Sequence, residues 1–219
     1  MVSEAHRRGA GNEAQRRGIV ERDTAESKVS VELAVDGSGR IDVSTGIGFY
    51  DHMLAQLGRH AGFDLTVRTD GDLHVDAHHT VEDTALAVGT ALAQALGDKA
   101  GVRRFGSVHV PLDEVLVQAA VDLSGRPYVV YEEPAGLAPF VGGTGPLFPT
   151  SLTRHFWESF GFTARLTLHV VVLRANRPGS QADAHHVIEA QFKAVARALR
   201  DAVRIEDSSG TIPSTKGVL

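Results

Sequence analysis

The chain has 219 residues, 42% apolar and 22% charged, enough for one sizeable domain or two small ones with an ordinary core. A net charge of −5 leaves no basic footprint for nucleic acid or an anionic membrane surface, and the absence of cysteine removes disulfides and thiolate metal sites. No apolar run reaches the ~18–20 residues of a membrane helix, and the polar opening MVSEAHRRGAGNEAQRRG lacks a signal-peptide core, so residues 1–18 read as a disordered tail and the cytoplasm as the simplest address.

KVSVELAVDGSGRIDVST (28–45) alternates apolar and polar residues around DGSG and predicts a β-hairpin. GFYDHMLAQLGRHAG (48–62) has helical spacing, and FDLTVRTDGDLHVDA (63–77) alternates again around a second turn. A helix follows from His78 to Leu96, closed by Gly97. The order then repeats. Strands and a turn lie in 107–132, a helix in 150–164, a strand in 165–175, the loop NRPGSQAD, and a helix from His185 to about Val203. His52 precedes His155 by 103 residues, and His78 precedes His185 by 107, which reads as an internal duplication. The expected fold is α+β, with similar halves over 19–104 and 105–204, helices packed on one side of the sheets, and a tail at 205–219.

The two copies share an acid-and-imidazole cluster, DAHHTVED at 76–83 and DAHHVIEA at 183–190. Asp76 and Asp183 sit where a helix N-cap is expected. On a helix His78 and Glu82 are four residues apart and share a face, while His79 is turned away by ~100°. Adjacent histidines are therefore placed for two different ions. Crossing the halves gives one site of His52, His79, His185 and Glu189, and another of His155, His186, His78 and Glu82. Nitrogen and oxygen donors without sulfur suit Mn, Fe, Co, Ni or Zn, and open positions favour Mn or Fe. The solitary His60, His74, His109 and His169 read as surface or packed residues.

With FYDHML, DAHHTVED, RRFG, DLSGRPY, RHFWES, AHHVIEA and IPSTKGVL, the chain from about Ile19 to Leu219 resembles imidazoleglycerol-phosphate dehydratases of histidine biosynthesis. The resemblance implies a duplicated fold, a homo-oligomer of 24 subunits and two Mn²⁺ per active site lying between subunits, so that the half-to-half crossing can run between chains. It also implies the loss of water from D-erythro-imidazole-glycerol phosphate to give imidazole-acetol phosphate. The proton to be lost is next to no carbonyl, so the substrate's own imidazole must relay the electrons. Two cations would favour its imidazolate form, hydroxide would leave through a diazafulvene-like intermediate, and an enol would tautomerise to the ketone. His52, His78, Glu82, His185 and Glu189 thereby carry catalysis.

The same resemblance assigns substrate contacts to Arg104, Arg126, Lys193, Ser214, Thr215 and Lys216, with arginine binding phosphate bidentately and lysine as a point charge. Glu26 matches another substrate-contacting position and is the candidate proton-transfer group. The loop RANRPGSQADA before His185 is longer than the family pattern and is expected to bulge into solvent, and Ala77 stands where Thr is common. Two other readings share the scaffold: a different dinuclear-metal lyase or hydrolase, and a non-enzymatic oligomer glued by metal. The joint presence of Arg104, Arg126 and Lys216 favours the dehydratase over both.

Overall fold

The computed structural model describes residues 16–175, 182–207 and 209–219. The first half runs β1 (Arg17–Asp23), β2 (Ser27–Ala34), β3 (Ile41–Ser44), α1 (Gly48–Ala61), β4 (Asp64–Gly71) and α2 (His78–Leu96). The second runs β5 (Phe105–Leu112), β6 (Val115–Asp122), β7 (Tyr128–Glu132), a small β8 (Phe140–Val141) and β9 (Phe148–Pro149) ribbon, α3 (Leu152–Thr163), β10 (Thr167–Arg174) and α4 (Ala184–Ala202).

The halves match in topology. The first sheet has the order β1-β2-β4-β3 and the second β5-β6-β10-β7. In each, the first three strands of that order are antiparallel, and the last pairs parallel with its neighbour, as β3 does with β4 and β7 with β10. A parallel pair needs a crossover, and α1 and α3 supply it.

Each sheet covers the helices of its own half: α2 lies on β1 and β2, and α4 on β5 and β6. The two halves then join helix to helix, α1 on α4 and α2 on α3. One contiguous core runs through all of this, from Val31, Met53 and Leu54 to Phe156, Trp157 and Phe192. Each such side chain contributes about 1.5–3 kcal/mol on burial. Two glycines let sheet and helix close. A Cβ on Gly18 of β1 would stand 1.9 Å from the Ala91 carbonyl oxygen, and one on Gly106 of β5 would stand 1.9 Å from that of Ala198.

Three expectations are corrected. Residues 28–45 are not a hairpin: β4 returns between β2 and β3 and pairs with both. Asp64 drives this, because its carboxylate accepts from the amides of Ser38 and Arg40 at 2.7 and 3.0 Å and turns the DGSG segment away from β2. Residues 72–77 form no second strand. Leu73 and Val75 bond back to Gly71 and Asp72 at 2.9 and 2.7 Å in a turn with no neighbouring strand. The ordered chain also starts before residue 19, since Arg17 and Gly18 open β1. Residues 1–15 of the expected tail, and 176–181 of the long loop, lie outside the described residues.

Candidate metal and phosphate sites

Both His-His pairs open a helix, and an aspartate two residues earlier sets the first turn. Asp183 is the N-cap of α4 and accepts from the His185 amide at 2.8 Å. Asp76 accepts from the His78 amide at 2.6 Å, although the N-cap position of α2 is Ala77. Accepting an amide of the first turn satisfies a donor that has no helical partner.

Two clusters form where helices of opposite halves meet. In the first, His52 of α1 faces His185 and Glu189 of α4. Glu189 Oε2 lies 3.1 Å from His185 Nε2 and 3.6 Å from His52 Nε2, and Glu189 Oε1 lies 2.8 Å from Lys193 Nζ. Burial pushes the Glu189 carboxyl up, but Lys193 and the two imidazoles outweigh it and hold it below the usual range. In the second, His155 of α3 faces His78 and Glu82 of α2. Glu82 lies 3.3 Å from His155 Nε2 and 4.0 Å from His78 Nε2. Exchange of the halves converts one cluster into the other.

Each cluster offers three donor atoms within 4.8 Å of one another, two imidazole nitrogens and a carboxylate oxygen. That donor set fits a divalent transition metal. An orphaned atom supports the fit: His155 Nε2 is buried and its contact with Glu82 is not aligned as a hydrogen bond, so it has no hydrogen-bond partner. A cation would satisfy it.

The structure brings together His52, His185 and Glu189, and separately His78, Glu82 and His155, but not the second histidine of either pair. His79 Nδ1 is held by Asp72 at 2.9 Å, and its Nε2 lies 3.6 Å from Glu26. The Asp72 hydrogen bond raises the affinity of His79 for its proton, against partial burial. His186 Nδ1 is held by Glu114 at 3.2 Å, and its Nε2 lies 3.9 Å from Asp113. Glu26 and Asp113 occupy corresponding turns, between β1 and β2 and between β5 and β6.

The expected phosphate contacts gather elsewhere. Arg104, Arg126, Ser214, Thr215 and Lys216, with Pro213, line an open groove of about 480 Å³. Asp122 grips the Arg104 guanidinium at 2.7 and 3.2 Å, and Arg104 also donates to the Pro213 carbonyl at 2.7 Å, tying the C-terminal segment to β6. Lys193 does not line the groove; it stands beside Glu189.

Sequence reasoning missed Asp72, Glu114 and Asp122. Each acts through a partner seven to 72 residues away, so no local spacing marks it. Gln56, which bridges His52 and His60 at 3.4 and 3.0 Å, was legible, because the three lie four residues apart on one helix face.

Comparison with known proteins finds one family throughout. Residues 45–199 match the family model "Imidazoleglycerol-phosphate dehydratase". The chain is 66% identical over 201 residues to a protein of that name from Salinispora tropica, covering 91% of this chain and 97% of the relative. A similarly named protein from Acidothermus cellulolyticus is 60% identical over 93% of each chain. Among solved structures, the Staphylococcus aureus enzyme superposes with a TM-score of 0.71 at 33% identity, over 85% of this chain and 97% of its own. The Pyrococcus furiosus protein, in complex with (S)-C348, gives 0.70 at 30%, over 91% and 100%.

Proposed function

The chain belongs to the imidazoleglycerol-phosphate dehydratase family and is a hydro-lyase, and we propose that it converts D-erythro-imidazole-glycerol phosphate to imidazole-acetol phosphate in histidine biosynthesis. The observation that carries the reading is the coexistence of paired His-His-Glu clusters and a groove with three cationic side chains in one chain. A metal-glued scaffold needs the first without the second.

His52, His185 and Glu189 hold one cation, and His78, Glu82 and His155 the other. His79 and His186 complete these sets in neighbouring chains. Their Nδ1 atoms are buttressed by Asp72 and Glu114, a common way to orient a ligating imidazole, and their Nε2 atoms lie near Glu26 and Asp113, outside the two clusters of their own chain. This supports a homo-oligomer, of 24 subunits as the family resemblance implies, with sites shared between subunits. The N/O donor set and the family point to Mn²⁺. When bound, two such ions would supply Lewis acidity that favours the imidazolate form of the substrate ring.

The remaining work falls to this chain's side chains. Arg104, Arg126 and Lys216, with the hydroxyls of Ser214 and Thr215, grip the phosphate and fix the reacting carbons. Lys193 meets the substrate beside the Glu189 cluster. Glu26 moves the carbon-bound proton as hydroxide leaves the carbon next to the ring, so that water is lost and the enol becomes the ketone. No described helix is long and apolar enough to cross a membrane, and we place the reaction in the cytoplasm.

The test is turnover of imidazole-glycerol phosphate by purified, metal-stripped protein, before and after Mn²⁺ is added. Ketone product that needs the metal supports the proposal. Folded, metal-loaded protein that makes no product overturns it in favour of another substrate or an assembly role.

A further inference from the structure

The duplicated clusters differ at three buried positions, Thr80/Val187, Val81/Ile188 and Asp83/Ala190, and only the last sets a carboxylate against an apolar side chain. In the first half Glu82 is followed by Asp83, and in the second Glu189 is followed by Ala190. Asp83 is 4% exposed and Ala190 is fully buried. A buried carboxylate must find partners, and Asp83 finds them in one short segment. Arg22 donates from Nε at 2.9 Å and pairs its charge with the same oxygen, Nη2 lying 2.8 Å from it; Thr24 donates from its hydroxyl at 3.2 Å and Ser27 from its hydroxyl at 2.5 Å.

These three residues bracket the turn between β1 and β2. The turn is braced further. The Thr24 hydroxyl accepts from the amides of Glu26 and Ser27 at 3.2 and 3.0 Å, and the Asp72 amide donates to the Glu26 carbonyl at 3.0 Å. The Glu26 carboxylate is exposed and takes no part in this bracing; it faces His79 Nε2 at 3.6 Å. Asp72 binds the same imidazole through Nδ1. The turn is thus built as a mount for Glu26.

We propose that Asp83 is a positioning residue for the dehydration: from the metal-binding helix it sets the β1–β2 turn and thereby the place of the Glu26 carboxylate. The proposal rests on the reading of Glu26 as the proton-transfer group. In the second half Ala190 offers no polar group at the corresponding place, which fits a device that serves only the turn carrying Glu26.

The experiment compares metal-loaded Asp83→Asn, Ser27→Ala, Glu26→Gln and the double variant Asp83→Asn/Glu26→Gln for kcat, KM, bound metal and Tm. Misplacing a catalytic group by about 1 Å costs up to about 100-fold. Asp83→Asn should therefore lower kcat about 10–100-fold, and Ser27→Ala about 10-fold, with KM and metal content unchanged. The double variant should be no slower than Glu26→Gln alone, since both changes act through one carboxylate. A normal kcat with a lowered Tm overturns the proposal in favour of a purely structural Asp83. Lost metal overturns it in favour of a role through Glu82, and multiplied losses in the double variant put the effect on a path that bypasses Glu26. Full kcat in Glu26→Gln removes the proton-transfer reading itself, an outcome distinct from the other three. Ser27→Ala leaves the carboxylate and its packing in place and carries the test if Asp83→Asn does not fold.

Discussion

Glu82 belongs to the first half of the chain and His155 to the second, and their side chains meet at 3.3 Å, as Glu189 of the second half meets His52 of the first at 3.6 Å. The clusters exist only because the halves are packed helix to helix. Either His52→Ala or His155→Ala should therefore remove about half of the bound divalent metal and nearly all turnover. Elemental analysis of dialysed protein checks this; full stoichiometry in both variants would refute the ligand roles.

The second histidine of each pair is expected to serve a neighbouring chain. Chelation should then shrink the assembly, and His79→Ala should do the same at normal Mn²⁺. Sedimentation velocity decides. An unchanged profile for metal-free protein would show that metal does not hold subunits together.

Arg126 lines the groove with Lys216, and its guanidinium donates to the Ser124 carbonyl at 3.2 Å. Arg126→Ala should raise KM about 10–100-fold, the range for one lost hydrogen bond to a charged group, with a smaller change in kcat. Asp122→Asn should act in the same direction by loosening Arg104. Steady-state kinetics at saturating Mn²⁺ would show the split, and an unchanged KM for Arg126→Ala would count against a phosphate contact.

Gly18→Ala and Gly106→Ala place a methyl against backbone oxygen, which cannot rotate away. Each should cost about 1–3 kcal/mol as the sheet is forced off its helix. Thermal or denaturant unfolding measures it. Wild-type stability in both would mean that the sheets can slide freely.

Asp64 makes the first half sensitive to acid. Burial works against its charge, but the Arg40 and Ser38 amides and the Arg40 guanidinium hold its carboxyl down to about 2, from an ordinary 3.8. A lowered folded value means that the stabilisation is present above pH ~4 and is lost as pH falls toward 2. Asp64→Asn should be less stable than wild type at pH 7, and the gap should narrow in acid. Urea unfolding at pH 7 and pH 3 tests the sign.

The spacing of residues determined much on its own. Apolar residues three and four apart mark the four helices of the described residues, and Gly62 ends α1 in the left-handed conformation. The near-constant offset from His52 to His155 and from His78 to His185 exposed the duplication, because self-similarity at a fixed long period is the mark of a repeat. The pairing of His52 with Glu189 and of His155 with Glu82 was also legible, since a symmetric repeat permits few ways to share ligands. Tertiary structure decided the rest. That β4 enters between β2 and β3 depends on the Asp64 carboxylate reaching the Ser38 and Arg40 amides, which lie far from it in sequence, and no turn sequence encodes that. Asp72, Asp83 and Glu114 act on partners brought close only by folding. A carboxylate has no intrinsic role: what it holds is settled by which donors the packed chain delivers to it.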